Sequence, residues 1–331
     1  MRFPLACGLL LIVTAAVYAP SLRAGFVFED MRDAALMLEW PGWGPFLALS
    51  IETPWRAVTL ASWYLNGAVF GIQPWSFHLG NLLLHLINVG LLLGLLWRVV
   101  PWRGALIGAA VFALHPIQVE AVAYVSGRSE LVAAAGVLLA LHATSVGTVA
   151  GALCGVLLAC LGKETAVVAW GLVPLWAVWT RAPFPALTWS LSGLAAVPAV
   201  WAWVRFDLSP DPESAAQGLV AVWRFLAMLP LPVGLSIEHD WHLWASLAVP
   251  LLIPTVLATA LALTDWARAT WALGWLWTLV VFAPRLVVPL FEGPHERHVY
   301  LVLIGWCLCA GYWLESHAQR KDVPWQAAHT T

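Results

Sequence analysis

The sequence has 331 residues, of which 61% are hydrophobic and 10% are charged, and its mean hydropathy is +0.81. Soluble domains usually carry about 25% charged residues, so this composition excludes an ordinary water-soluble protein and indicates one embedded in a membrane. The net charge of -2 gives no electrostatic basis for binding nucleic acid, while the 23 tryptophans favour the membrane–water interface.

Ten apolar segments are predicted to cross the membrane. A helical span needs about 20 mainly apolar residues, and the range reaches down to about 17. Three further segments mix tryptophan, proline and charges with apolar residues, which is typical of interfacial helices; they are 34–50, 55–70 and 214–235. The predicted fold is all-α integral membrane with about ten transmembrane helices, at 3–20, 77–98, 103–115, 129–145, 147–161, 164–180, 184–204, 243–263, 270–290 and 299–316.

Short arginine-bearing links set the predicted orientation. The links with Arg98 and Arg103, with Arg181 and with Arg268 contain few acids. The positive-inside rule therefore places them in the cytoplasm together with both termini. The protein is predicted to be multi-pass.

The predicted topology gives one polytopic membrane catalytic domain, residues 1–320, whose first external loop is 21–76, followed by a short cytoplasmic tail at 321–331. It also places the polar clusters on the external face, whereas transporters usually hold ionisable groups near the membrane midplane. This one-sided distribution indicates an extracytoplasmic active site. The clusters are Glu29-Asp30, Arg56, His115 to Arg128, Lys163-Glu164, Glu238 to Asp240 and Glu292 to His298.

Glu29 and Asp30 form an acidic pair directly after the first span. Adjacent carboxylates repel, and burial raises the pKa of a carboxyl group, so one of them is a candidate general base for an acceptor hydroxyl. The alternative is a solvated loop that caps a helix. The sequence leaves both alternatives open.

A polar stripe runs along the second predicted span. His78, Asn81, His85 and Asn88 are three, four and three residues apart, which places them on one helical face. Such a stripe is expected to face the interior of the helix bundle. The alternatives are hydrogen bonds between helices and contact with a ligand, and His78 is nearest the external end.

Two basic residues are predicted to bind phosphate near the helix ends. Gly127 allows a turn that presents Arg128, whose planar fork suits phosphate, although an ion pair of Arg128 with Glu120 or Glu130 is the alternative. An unpaired lysine charge in lipid has a high free energy, so Lys163 is expected to form an ion pair or to bind an anion.

The run from Glu292 to His298 is the densest polar segment. Arg297 beside Tyr300 suits a lipid phosphate at the interface. His295 and His298 are three residues apart, whereas the zinc-protease motif HExxH needs four, so no metal site is predicted.

In order, these motifs resemble the membrane domain of the transmembrane and tetratricopeptide-repeat O-mannosyltransferases and their bacterial relatives, which belong to the GT-C glycosyltransferase superfamily. The resemblance extends over nearly the whole chain. The matching motifs are Thr53 to Thr59, Phe77 to His85, His115-Pro116 with Glu120 to Ala123 and Val125 to Arg128, Gly162 to Glu164, Leu235 to Asp240, and Glu296 to Leu301.

The resemblance implies an inverting glycosyltransferase of the GT-C type. It implies a polyprenyl-phosphate monosaccharide donor, with a mannose-like sugar, and transfer to a hydroxyl of a protein or glycan. It also places the catalytic acid of the first external loop at Glu29 or Asp30. This sequence departs from the family pattern at Ala57, where proline is usual, and at Gln118, where a second histidine is usual, and no tetratricopeptide repeat follows residue 316.

The expected partners are membrane lipid, the lipid-linked sugar and an unidentified acceptor, with no nucleic acid. No cofactor is expected, because arginine and lysine can supply the positive charge for a phosphate leaving group. The predicted phosphate ligands are Arg297, Arg128 and Lys163. The predicted substrate-binding residues are Arg56, His78, His115, Glu120, Glu164, Asp240 and His298.

Two other functions fit the same spans. A transporter or flippase for a lipid-linked substrate would use the basic residues to hold a phosphate, but it predicts deep charges and an internal repeat. A non-catalytic membrane scaffold would account for the departures at Ala57 and Gln118.

Overall fold

A computed structural model describes residues 2–39, 43–182, 186–205, 212–236, 239, 248–265, 270–287 and 295–319. The regular structure within these ranges is helical, without a strand. The helices are α1 (Arg2–Tyr18), α2 (Glu29–Glu39), α3 (Trp43–Glu52), α4 (Ala57–Phe70), α5 (Pro74–Val99), α6 (Trp102–Leu114), α7 (Val119–Ala123), α8 (Arg128–Ser145), α9 (Val149–Gly162), α10 (Ala169–Thr180), α11 (Ala186–Ala195), α12 (Val197–Arg205), α13 (Pro212–Met228), α14 (Ala248–Asp265), α15 (Thr270–Val287) and α16 (Tyr300–Gln319).

Two helical stretches in the described part are long and apolar enough to cross a membrane, namely Phe3–Arg23 and Pro74–Val99. A third candidate is the pair Trp102–Leu114 and Pro116–Ala123, which is bent by 51°. The prediction of an all-α protein with apolar membrane-length helices is confirmed to this extent. The number of about ten spans stays a prediction.

One predicted span is divided in the structure. The segment predicted at 184–204 contains α11 and α12, which are separated at Ala196. Pro198 has no backbone N–H and cannot continue the helical hydrogen bonding, which accounts for a break at this point.

Glycines allow a close contact between α8 and α9. A Cβ atom at Gly136 would collide with the backbone of Ala159, and one at Gly155 would lie 2.5 Å from the backbone nitrogen of Ala140. Small residues at an interface let helix backbones approach closely in an apolar environment. This contact brings the first turn of α8 and the last turn of α9 to the same end of the pair, because the two helices are joined by a short turn at 146–148.

The polar stripe of α5 lies in the protein interior and mostly makes interhelical hydrogen bonds. Asn81 donates to the Tyr124 carbonyl over 2.8 Å, and Asn88 donates to the Leu131 carbonyl over 2.9 Å. The Nδ1 atom of His85 lies 2.7 Å from the Tyr300 hydroxyl. The hydrogen-bonding alternative is therefore confirmed for these three residues.

Candidate active site

The acidic pair begins α2. Glu29 and Asp30 lie in its first turn, where the positive end of the helix dipole favours carboxylates. Phe28, immediately before them, has a left-handed backbone with φ of 50°. In a non-glycine residue this conformation costs about 1–3 kcal/mol, and such strain is concentrated at functional sites.

Asp30 is buried and binds the turn that precedes α8. Its Oδ1 atom accepts hydrogen bonds from the backbone nitrogen of Ser126 at 2.8 Å and from the Ser126 hydroxyl at 2.7 Å, and Oδ2 accepts from the Val125 nitrogen at 3.4 Å. Burial raises the pKa of Asp30, while the bonds to Ser126 and Val125 oppose the rise. Asp30 therefore holds in place residues 125–126, which lie just before Arg128 at the start of α8.

Glu29 is only half-buried and contacts Tyr124. The Tyr124 hydroxyl lies 3.3 Å from the Oε2 atom of Glu29 and accepts the Glu29 backbone N–H at 3.2 Å. The guanidinium carbon of Arg297 lies 5.4 Å from the centre of the Tyr124 ring. Tyr124 thus joins the acidic pair to a predicted phosphate ligand, and it places both groups in one region of the protein.

Arg128 is buried, and protein acceptors surround its guanidinium. Its Nε donates to the Asn81 amide oxygen at 2.8 Å, Nη1 donates to the Asn66 amide oxygen at 2.9 Å, and Nη2 donates to the Phe77 carbonyl at 2.7 Å. A Cβ atom at Gly80 would lie 2.5 Å from Nη2, so the glycine admits this side chain. This arrangement favours a structural role, in which Arg128 links α4, α5 and α8. The predicted alternative, an ion pair of Arg128 with Glu120 or Glu130, does not form.

Arg297 is held by Glu120. The Arg297 backbone nitrogen donates to Glu120 Oε2 at 2.9 Å, and its Nη1 donates to Oε1 at 3.0 Å. The Nδ1 atom of His295 lies 3.6 Å from the same Oε1. These contacts join parts of the chain 177 residues apart and fix Arg297 beside Tyr124.

A second ionic cluster surrounds Glu130. Its Oε1 atom lies 2.5 Å from Lys163 Nζ, 3.4 Å from Arg285 Nη2 and 3.9 Å from His298 Nε2. His298 interacts with basic residues of both clusters. Burial lowers the pKa of His298 well below its usual value, and the positive charges of Arg285, Lys163 and Arg297 lower it further. The expectation that Lys163 pairs or binds an anion is met by its ion pair with Glu130.

Arg56 and Glu164 form a two-point ion pair. Both Nε and Nη2 of Arg56 lie 3.3 Å from a carboxylate oxygen of Glu164. Burial raises the pKa of Asp33. The charge of Arg32 and, more weakly, that of Arg56 lower this pKa, while the charge of Glu29 raises it. The charge of Glu29 also acts on Arg56, so the ion pair and the acidic pair interact electrostatically.

His78 and Gln118 are buried polar side chains with unmet hydrogen-bonding capacity. Within the described part of the chain, neither ring nitrogen of His78 and neither amide atom of Gln118 has a hydrogen-bond partner. Buried polar groups are nearly always paired in native proteins. Both positions are therefore suited to bind a polar ligand. His115 differs, because its Nδ1 accepts the Ile117 N–H and its Nε2 lies 2.9 Å from the Leu229 carbonyl.

Glu296 joins Ser236 and His239 to the same region. Its Oε1 accepts the Ser236 N–H at 2.6 Å and lies 3.2 Å from His239 Nε2. Burial raises the pKa of Glu296 to about 7. Asp240 and residues 288–294 lie outside the described residues.

Sequence reasoning missed Arg285 and Tyr124 as members of this site. Arg285 lies in the apolar segment predicted at 270–290, and an arginine within a predicted span is itself a functional signal that was available. No comparable signal marks Tyr124. Among the residues that the structure describes, no three histidine, cysteine, aspartate or glutamate side chains are grouped to hold a metal ion.

Parts of the chain are similar to curated proteins. It is 33% identical over 138 residues to protein O-mannosyl-transferase Tmtc1 of Drosophila melanogaster, which is 38% of this chain and 16% of that protein. It is 32% identical over 189 residues to Tmtc2 of the same organism (46% and 19%), and 33% identical over 141 residues to human TMTC2 (38% and 17%).

The chain resembles these O-mannosyl-transferases in sequence. The resemblance inferred from the motifs is therefore confirmed over part of the chain, and its extension over nearly the whole chain stays a prediction. The matched part covers less than a fifth of the length of each of these relatives. No protein-family model matches the chain, and no solved structure matches it significantly.

Proposed function

We propose that this protein is a membrane glycosyltransferase of the GT-C type that moves a mannose-like sugar from a polyprenyl-phosphate donor to a hydroxyl group of a protein or glycan. The observation that carries the proposal is the meeting of Glu29 and Arg297 at Tyr124. A carboxylate can remove the proton of the acceptor hydroxyl, and fixed cations can stabilise the charge on a phosphate leaving group. The names of the similar proteins support the same activity.

Glu29 is the better candidate for the general base. Its carboxylate is half-buried, whereas Asp30 is buried and engaged by the Ser126 and Val125 donors. In the proposed step Glu29 takes the proton of the acceptor hydroxyl as that oxygen bonds to the anomeric carbon. The bond from this carbon to the phosphate oxygen breaks, polyprenyl phosphate leaves with the electron pair, and in-line attack inverts the configuration.

Arg297 and Lys163 stabilise the negative charge that develops on the leaving phosphate. Glu120 holds Arg297, and Glu130 holds Lys163 before the phosphate binds, so both cations are already in place when transfer begins. Arg128 is not included among the phosphate ligands, because its donors already bind protein oxygens. No metal is required for this step.

His78 is proposed to bind a sugar hydroxyl, since its ring nitrogens have no partner within the described residues. Arg56 and Glu164 are proposed to border the acceptor side, because their ion pair lies near Glu29. His115, His298 and Asp240 remain proposed substrate-binding residues. The site is proposed to face the extracytoplasmic side of a bacterial inner membrane.

The test uses purified protein in nanodiscs with a labelled polyprenyl-phosphate mannose and an extract of periplasmic proteins as acceptor. Release of polyprenyl phosphate and transfer of label are measured together. Glu29→Gln is expected to reduce turnover at least about 100-fold, in the range that general-base catalysis contributes. Asp30→Asn is expected to reduce both turnover and thermal stability, because it weakens the bonds to Ser126.

Glu52→Gln is the matched control, since Glu52 is an exposed acid at the end of α3. Its turnover should equal that of the wild type. Full turnover in Glu29→Gln would disprove the base assignment. Label that crosses liposomes in counterflow without covalent transfer would favour a transporter instead.

A further inference from the structure

Three basic side chains meet at a single oxygen of one buried carboxylate. Lys163, Arg285 and His298 all approach Glu130 Oε1, and all four residues are more than nine-tenths buried. Lys163 and Arg285 carry two positive charges against the one negative charge of Glu130. A buried charge that is not neutralised is costly, so the cluster is suited to accept a further anion.

Arg285 has hydrogen-bonding capacity that its protein contacts do not use. Its Nη1 donates to the Val281 carbonyl at 3.3 Å, and its Nη2 approaches Glu130 and the Thr165 hydroxyl at 3.4 and 3.5 Å. Its Nε is buried without a partner in the described part of the chain. An arginine fork with a spare donor matches the geometry of a phosphate group.

His298 adds a donor that is oriented towards the same point. Its Nδ1 accepts the His295 N–H at 3.1 Å, so in the neutral ring the proton lies on Nε2, which faces Glu130. The cluster therefore presents two fixed cations and one neutral donor. An arriving anion would also favour protonation of this ring.

We infer that Lys163, Arg285 and His298 form the phosphate pocket of the lipid-linked substrate, and that Glu130 occupies this pocket until the phosphate displaces it. The inference rests on the proposed function. Sugar transfer converts a phosphodiester, with one negative charge, into a phosphomonoester with up to two near neutral pH. The pocket thus matches the charge of polyprenyl phosphate, the product, better than that of the donor.

Binding of a fluorescent short-chain polyprenyl phosphate to the protein in phosphatidylcholine nanodiscs tests the inference. Arg285→Gln is expected to weaken binding about tenfold or more, whereas Glu130→Gln is expected to strengthen it about threefold or more. Arg98→Gln is the matched control, because Arg98 is exposed at the last turn of α5, and it should bind as the wild type does. Inorganic phosphate serves as competitor, and displacement at equal concentration would identify a site for free phosphate.

Thermal unfolding separates binding from a purely structural role. Glu130→Gln leaves Lys163 and Arg285 unpaired, so it should unfold at a lower temperature without ligand and recover when polyprenyl phosphate is added. If Arg285→Gln does not fold, Arg285→Lys keeps the charge without the fork and should weaken binding by a smaller factor. A Glu130→Gln protein that binds no more tightly than the wild type overturns the inference.

The two proposals fail in different ways. A wild type that transfers sugar, while Arg285→Gln and Glu130→Gln bind polyprenyl phosphate unchanged, disproves the phosphate pocket alone. A wild type that binds polyprenyl phosphate with the expected changes in both variants, but transfers no sugar to any acceptor or water, disproves the glycosyltransferase and leaves a lipid-phosphate site.

Discussion

At the scale of single residues, the environment of a carboxylate decides its role more than its position in the sequence does. Glu29 and Asp30 are neighbours, yet one contacts a tyrosine hydroxyl at a half-buried position and the other is enclosed by donors of the turn at 125–126. Glu120 and Glu130 are also buried acids, and each is engaged by basic groups. Because these four carboxylates have different partners, we expect the replacement of each one to change turnover and stability to a different degree.

Glu296 is expected to make the stability of the protein depend on pH. Burial raises its pKa from 4.5 to about 7, so the folded protein holds this proton more tightly than the unfolded chain does. Its contribution to stability is then complete below pH 4.5 and is lost as the pH rises through about 7. Unfolding temperatures of the wild type and Glu296→Gln, measured between about pH 5 and pH 8, should diverge, with the wild type falling more steeply.

His239, which contacts Glu296, titrates with the opposite sign. Burial lowers its pKa from 6.5, so its contribution increases as the pH rises. It is present in both proteins, so the difference between their curves reports Glu296 together with any change that its replacement causes in His239. Parallel curves would show that Glu296 does not hold a proton in the folded state.

The residue types of the site could be predicted from the sequence, but their partners could not. Glu29, Arg297 and Lys163 stand out as charges beside apolar segments. The pairing of Glu120 with Arg297 spans 177 residues, and local spacing carries no information on such a contact. Arg128 was expected to bind phosphate, and only the positions of Asn81, Asn66 and Phe77 show that its donors are occupied.

At the scale of helices, the α8–α9 contact depends on glycine at the interface. Gly136→Ala would place a Cβ atom against the backbone of Ala159, which a side-chain movement cannot relieve. We expect it to lower the free energy of unfolding by about 1–3 kcal/mol, the usual cost of overpacking. Thermal unfolding in detergent measures the effect.

Gly90→Ala is the matched control, because no atom lies within 4 Å of a Cβ atom at Gly90 in α5. Alanine is the better helix former by about 1 kcal/mol, so this change should leave stability unchanged or raise it. Equal destabilisation by the two substitutions would contradict the packing argument.

Helix positions follow closely from the apolar runs. The segments predicted at 77–98 and 129–145 correspond to Pro74–Val99 and Arg128–Ser145. The hydrophobic pattern does not reveal where a helix is interrupted, because residues on both sides of a break are equally apolar. The division at Ala196 shows this, although Pro198 was a visible sign of it.

At the scale of the whole molecule, the proposed function requires Glu29 and its neighbours to face outwards. Single cysteines at Val27 and at Arg98 test this, in a chain whose five native cysteines are replaced by alanine. Both positions are exposed, and Arg98 lies at the end of α5 opposite His78. In intact spheroplasts a membrane-impermeant maleimide should label Val27→Cys and should label Arg98→Cys only after permeabilisation.

Labelling of Arg98→Cys from outside would reverse the predicted orientation. It would not affect the meeting of Glu29, Tyr124 and Arg297, which depends only on contacts within the protein. The sidedness and the geometry of the site can therefore be judged separately.

The long-range pairs also set an order of events during biosynthesis. Glu120 and Glu130 are made early, but the groups that neutralise them include Arg285, His295 and Arg297, which leave the ribosome near the end of translation. A nascent chain in the translocon thus holds Glu120 without these basic partners until that late segment inserts, whereas Glu130 already has Lys163 beside it. Because Arg285 and Arg297 are also proposed phosphate ligands, a partly synthesised chain lacks the means to consume its lipid-linked donor.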